Sequence, residues 1–141
     1  MSPRIIHARD RKSSAASRQF VQEAAAELVA AEESRLEALR WIAQRESDPL
    51  KVLDALARYR RGQNAVDESL AKMYAALRLG GVSAHALATS MRTRTQTISA
   101  RVDSYPESRR IATASRSDIK KLNGEYAIAP PPTHSTVIEE L

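Results

Sequence analysis

Residues 82–102 read VSAHALATSMRTRTQTISARV, two short helical patterns either side of a polar break. Ser83 carries the hydroxyl of an N-cap, and Leu87, Ala88 and Met91 fall on one side of a helix running to Met91. Thr93 is a second N-cap position, and Gln96 three residues on completes a capping box. Ile98 and Val102, four apart, give the second helix its inward edge, and Pro106 stops it at or before Tyr105. Two helices joined by so short a turn cannot bury both apolar edges unaided. The preceding stretch NAVDESLAKMYAALRLGG, residues 64–81, supplies the missing wall. Asn64 and Asp67 form a capping pair, Val66, Leu70, Met73, Tyr74 and Leu77 recur at helical spacing, and Gly80 and Gly81 end the run. A three-helix unit over 64–105 follows.

Upstream, residues 14–46 lack Gly and Pro and are rich in Ala, Glu, Leu and Arg, which predicts one long helix. Val21, Ala25, Leu28, Leu39, Ile42 and Ala43 share a face. Glu32 and Arg35 interrupt it, either as a pair answered by a neighbouring helix or where the helix leaves its partner. Trp41 lies off the stripe. SDPLKVLDALARYRRG, residues 47–62, is a second helix: Ser47 or Asp48 caps it, Pro49 sits in its first turn, and Gly62 lies just past its end. Leu50, Leu53, Leu56 and Ala57 are its expected buried side, and Arg58, Arg60 and Arg61 suit the negative end of its dipole. The expected architecture is all-α: a flexible basic arm over 1–13, a helical oligomerisation or support module over 14–62, the trihelical unit over 63–105, and a mostly irregular tail over 106–141. Within that tail Ser117 and Asp118 can cap a short helix to Leu122 stopped by Asn123 and Gly124, with a β-hairpin as the weaker alternative. Pro130, Pro131 and Pro132 must be extended.

The chain has 141 residues, enough for one core with accessories. Aromatic residues make up 4% of it, so its core must be built largely from Ala and Leu. It has no cysteine, which excludes disulfides, thiolate metal sites and cysteine nucleophiles. Gly80 and Gly81 belong to no phosphate-loop pattern, His85 has Thr89 where a second metal ligand would stand, and no Ser-His-Asp set can be assembled. Neither an enzyme nor a cofactor or metal site is therefore expected. No apolar run reaches the ~18 residues of a membrane span or resembles a signal sequence, so a cytoplasmic protein is expected. The formal charge of +5 is unevenly spread. Residues 1–18 hold five basic side chains against one acidic, and residues 82–121 hold eight against three, whereas the remaining stretches are net acidic. Clustered basic charge of this kind matches a phosphate backbone.

Ala88 and Ile98, ten apart, together with RTQTIS at 94–99, resemble the helix-turn-helix of bacterial and phage transcription regulators. In that family an Ala of the first helix precedes a turn glycine by four and an aliphatic residue of the second helix by ten, and recognition helices open on sequences like S-R-Q-T-V-S. The resemblance covers about 82–103, or 64–105 with the supporting helix. It departs from the pattern at Arg92, which stands at the glycine, and at Thr93, where an apolar residue is usual. A left-handed Arg92 would carry strain of about 1–2 kcal/mol. The resemblance implies a sequence-specific regulator that reads the major groove of double-stranded DNA with the helix at about 94–105. The expected contacts are Arg92, Arg94, Thr95, Gln96, Ser99 and Arg101, supported by Ser83 and His85 on the first helix and by Arg109 and Arg110 beyond the second. Arg can take guanine bidentately, Gln can take adenine, and Ala100 or a Thr methyl can meet thymine. A homodimer or higher homo-oligomer through the 21–43 stripe is expected, because one short recognition helix contacts few base pairs. The terminal STVIEEL suits a protein partner. The alternative is a structural or DNA-packaging component that binds DNA without sequence preference or uses the helix-turn-helix for protein contacts.

Overall fold

One helix serves as spine for the others. In the computed structural model, which describes residues 7–45 and 47–129, α1 spans Arg11–Arg45. Its 35 residues extend about 50 Å at the α-helical rise. Asp10 starts it: the carboxylate accepts from the Ser13 N–H at 3.0 Å and from the Ser13 hydroxyl at 2.7 Å. Those same bonds hold the Asp10 carboxyl below its ordinary pKa, because they favour the charged acceptor. The helix thus begins three residues before the expected start at 14, and the expected arm shortens. Residues 7–10 are non-helical, and the His7 N–H donates to the carbonyl of Gly81 at 2.8 Å. The rest of that arm, 1–6, lies outside the described residues.

Next come α2 (Pro49–Arg61), α3 (Gln63–Leu79), α4 (Ala84–Met91), α5 (Thr95–Asp103) and α6 (Pro106–Thr113). The first half of α1 packs along α3, and small side chains allow the close approach: Ala16, Ser17 and Ala24 face Ala75 and Ala76, with Phe20 and Tyr74 filling the wider gaps. The Ser17 hydroxyl donates to Ala76 O at 2.6 Å. α3 has neighbours on more than one side, packing against α1 and against α5 and α6. Accordingly Val66, Ala71, Tyr74, Ala75, Ala76 and Leu79 are buried, beyond the single stripe expected of it. Asn64 and Asp67 do not cap it; the helix starts at Gln63, whose Nε2 donates to Asp67 Oδ1 at 2.8 Å.

The second half of α1 carries α2. Here the expected buried side is wrong: Leu50, Leu53 and Leu56 are 77%, 61% and 47% exposed, and Ala55 is the fully buried residue. α2 has one main wall, α1, and docks on it through its least bulky position. Arg35 fixes that docking by donating its Nε to Tyr59 O at 3.3 Å and lying 4.2 Å over the Tyr59 ring. Glu32 pairs with Arg35 at 3.8 Å within α1, and the Arg35 contacts to Tyr59 answer the charged break in the α1 stripe across helices. Asp48 is the N-cap, accepting from Leu50 N at 3.0 Å.

The segment after Tyr105 is ordered well beyond the expected irregular tail. Pro106 opens α6, a place where its missing N–H is harmless. After a 3-10 turn at Arg116–Asp118, β1 (Ile119–Leu122) pairs antiparallel with β2 (Glu125–Ile128), Lys121 opposite Tyr126. The expected short helix ending at Leu122 is therefore a strand. Asn123 and Gly124 both have positive φ, 52° and 82°, as a two-residue hairpin turn requires. Ile119 is fully buried, and Gln19 of α1 exchanges two hydrogen bonds with the Tyr126 backbone, at 2.8 and 2.9 Å. Residues 130–141, including the proline run and STVIEEL, lie outside the described residues. Among the described residues no helix is long and apolar enough to cross a membrane.

Candidate nucleic-acid interface

The α4–α5 unit is built from its two chain reversals. α3 ends with Gly81 at φ 102°, the Gly81 N–H on Arg78 O at 3.0 Å and the Val82 N–H on Leu77 O at 3.0 Å. α4 ends the same way, with the Arg92 N–H on Thr89 O at 3.3 Å and the Thr93 N–H on Ala88 O at 2.9 Å. Both are Schellman closures, which need a left-handed residue at the position after the cap. At the first it is glycine; at the second it is Arg92, with φ 54° and ψ 47°.

This closure overturns the expected capping box. The Thr93 N–H is bonded to Ala88 O and is not free to complete a capping box with Gln96, and α5 begins with its cap one residue later than expected. The cap is Arg94, in extended backbone, with no side-chain cap bond. Its carbonyl accepts from Thr97 N and Ile98 N at 3.0 and 3.2 Å. Arginine has no acceptor to offer the first N–H groups, and these stay open at the helix start. An uncapped N-terminus of this kind favours anions.

Ile98 is wholly buried and Val102 nearly so, which turns the opposite side of α5 outward. Gln96 and Ala100 lie at its crest; Arg94 and Thr95 are exposed at its start, and Ser99 is half-buried on the flank. Arg101 is exposed on the side turned toward α3, beside a hollow lined by Gln63, Asp67, Tyr74 and Ser104. Arg92 projects from the turn, exposed. On α4, Ser83 spends its hydroxyl as N-cap, accepting from Ala86 N at 3.0 Å, while His85 in the first turn is exposed. Met91, expected inside, is 49% exposed: the last turn of α4 reaches the core through Ala88, and the helix closes at Met91 before a further turn could cover it.

Of the two arginines of α6, Arg110 lies apart from this surface. Arg110 lines a groove of about 240 Å³ with Phe20, Glu23, Glu107 and Tyr126, between α1 and the hairpin, where two carboxylates face it. Arg109 is exposed on the neighbouring position. Lys120 and Lys121 alternate across the hairpin, with Lys121 Nζ 5.3 Å from the Tyr126 ring centre. Among the described residues none of Arg92, Arg94, Arg101, Arg109 and Arg110 forms an ion pair.

One residue that holds this platform together escaped the sequence pattern. Lys72 of α3 is 6% exposed, and its ammonium lies 2.9 Å from Glu27, 3.3 Å from Glu107 and 3.8 Å from Glu23. It therefore ties α1 and α6 to α3. Burial acts to lower its pKa, but the bond to Glu27 and the charges of Glu107 and Glu27 outweigh burial and the pKa is raised. The available signal was the i, i+4 pair Glu23 and Glu27 on the face of α1 next to the apolar stripe.

Comparison with protein-family models, with curated proteins and with solved structures gives no match to this chain.

Proposed function

We propose that this chain is a DNA-binding transcription regulator of the bacterial or phage type, working in the cytoplasm, with α5 entering the major groove of double-stranded DNA. The turn between α4 and α5 carries the reading. Arg92 is left-handed at the position where the helix-turn-helix pattern has glycine. The turn therefore delivers α5 with Ile98 and Val102 inward and Arg94, Thr95, Gln96 and Ala100 outward. Short side chains and donors at the crest of a helix suit base edges, and the open N–H groups at its start suit a phosphate. Arg92, His85 and Arg101 flank that crest and would hold the backbone on either side. Arg110 is left out of the contact set, because its groove is shared with Glu23 and Glu107.

Selection of bound DNA from a random pool tests the reading. A shared sequence recovered by the wild type and lost on Gln96→Ala or Arg94→Ala supports it. Absence of any retained DNA at low salt refutes it. The assembly reading draws on one observation, the apolar residues left open on α1 and α2. Retention of DNA with no preferred sequence would favour that second reading.

A further inference from the structure

Among the described residues, five of the seven exposed large apolar side chains lie on the arm formed by the second half of α1 and α2: Val29, Leu36, Leu50, Leu53 and Leu56. Four of them share one side. A groove of about 400 Å³ marks the opposite side, lined by Ser34, Glu37 and Trp41 of α1 and by Arg58 of α2. At 100° per residue, Leu36 stands 100° to 160° from Ser34, Glu37 and Trp41, and Val29 lies on the same line one heptad earlier. On α2, Leu53 and Leu56 stand 140° and 160° from Arg58. The apolar side thus runs across both helices, with half-buried Leu39 in the seam between them. Leu50 sits at its outer edge.

The two helices are antiparallel, and the Arg35–Tyr59 bond sets their relative level. Stepping from that pair puts Leu53 level with Trp41, Leu56 with Ala38 and Arg60 with Ser34. Among the described residues neither Arg60 nor Glu33 has an ion-pair partner. A two-fold axis parallel to the helices lays α2 of one copy over α1 of the other at these levels. Leu56 of the second copy then falls between Leu36 and Leu39, Leu53 between Leu39 and Ala43, and Arg60 beside Glu33. The face is therefore complementary to itself in both apolar and charged positions, which is what a two-fold interface demands.

We infer that the occupant of this face is a second copy of the chain, joined as a four-helix dimer through Val29, Leu36, Leu53 and Leu56. The seam shares Leu39 and Ala43 with the 21–43 stripe but not its first half, because Val21, Ala25 and Leu28 are already half-buried within the chain. It stands apart from the DNA reading: the mass of the particle and the outcome of DNA selection are separate measurements.

Light scattering on the full chain tests it. The expected mass is twice the 15.6 kDa of one chain. Leu53→Lys with Leu56→Lys should give the single-chain mass with unchanged helical circular dichroism, since both side chains are exposed. Arg60→Glu should weaken dimerisation by roughly threefold or more through its two symmetric copies, and Glu33→Arg added to it should restore the wild-type constant. A wild type that stays at one chain mass at millimolar concentration overturns the inference. So does a dimer or larger ring that the double lysine variant leaves intact, or a charge swap that restores nothing.

Discussion

Replacing Arg92 by glycine should make the protein more stable and its DNA contact weaker. Arg92 sits at φ 54° and ψ 47°, where an L side chain crowds the following carbonyl at about 1–2 kcal/mol. Glycine removes that strain but widens the unfolded ensemble, which returns about 0.4–1 kcal/mol. The net gain is about 0.5–1 kcal/mol, since the hydrogen bonds that close α4 run through the Arg92 and Thr93 N–H groups and survive the change. For a chain of this size that is a rise in Tm of roughly 2–5 °C, well within the resolution of thermal unfolding followed by circular dichroism. Arg92→Ala is the control: it deletes the same charge but keeps the Cβ, so its stability should stay within about 0.5 kcal/mol of wild type. Both variants should lose DNA affinity alike, because both lose the guanidinium. An Arg92→Gly protein no more stable than wild type, or an alanine variant that gains as much as glycine, would refute the assignment of strain to the backbone.

Three other perturbations probe the platform. Ser108→Ala should leave stability unchanged or raise it by about 1 kcal/mol in chemical denaturation, because the buried Ser108 hydroxyl has no hydrogen-bond partner; a loss above ~1 kcal/mol would mean that the hydroxyl is satisfied. Gly81→Ala should destabilise by about 2 kcal/mol, since a side chain at φ 102° is strained and its Cβ would strike the His7 carbonyl; faster hydrogen exchange at the His7 amide would accompany it. Lys72→Met leaves three carboxylates facing one another and should destabilise by about 1–2 kcal/mol near neutral pH. Because the folded pKa of Lys72 is raised, its contribution is fully present below the ordinary lysine value of 10.5 and is lost as pH climbs through the higher folded value. Equilibrium unfolding at pH 8 and pH 11.5 should therefore show a larger gap between wild type and Lys72→Met at the lower pH than at the higher, and an equal gap at both would count against the ion pairs.

The helices were legible because their punctuation is local. Asp48 and Pro49 at the start of α2, Gly81 after α3 and Ser83 before α4 each act through bonds within a few residues, and the same residues do so in the structure. Which side of α2 is buried was not legible. A wheel of α2 gives Leu50, Leu53 and Leu56 as the apolar side, but what α2 meets is one helix, and the Arg35 stack on Tyr59 turns Ala55 inward. Apolar pattern reports which side can be buried; the number of walls decides which one is. The hairpin ranked below a short helix for a related reason. Asn123 and Gly124 are a strong turn signal, yet IKKL and EYAI alternate weakly, and only Ile119 is fully buried.

At the candidate interface the sequence was most misleading at Thr93, and the error is informative. Thr93 and Gln96 satisfy the capping-box spacing, but a Schellman closure uses the backbone N–H groups of the two residues after the helix it ends, and a capping box needs the second of them. With α4 closing on Arg92 and Thr93, α5 has to begin at Arg94, one of the few polar residues with no acceptor. Ser or Asp at that position would add about 1 kcal/mol of capping. Two positions flanking Thr93 thus forgo local stability, Arg92 in its conformation and Arg94 in its chemistry, and both put a guanidinium near the open end of the outward helix. Local rules broken this close together without compensation inside the fold are what a surface shaped for a ligand looks like. On the proposed reading, the missing acceptor and the added cations would both be answered by a phosphate from outside the chain.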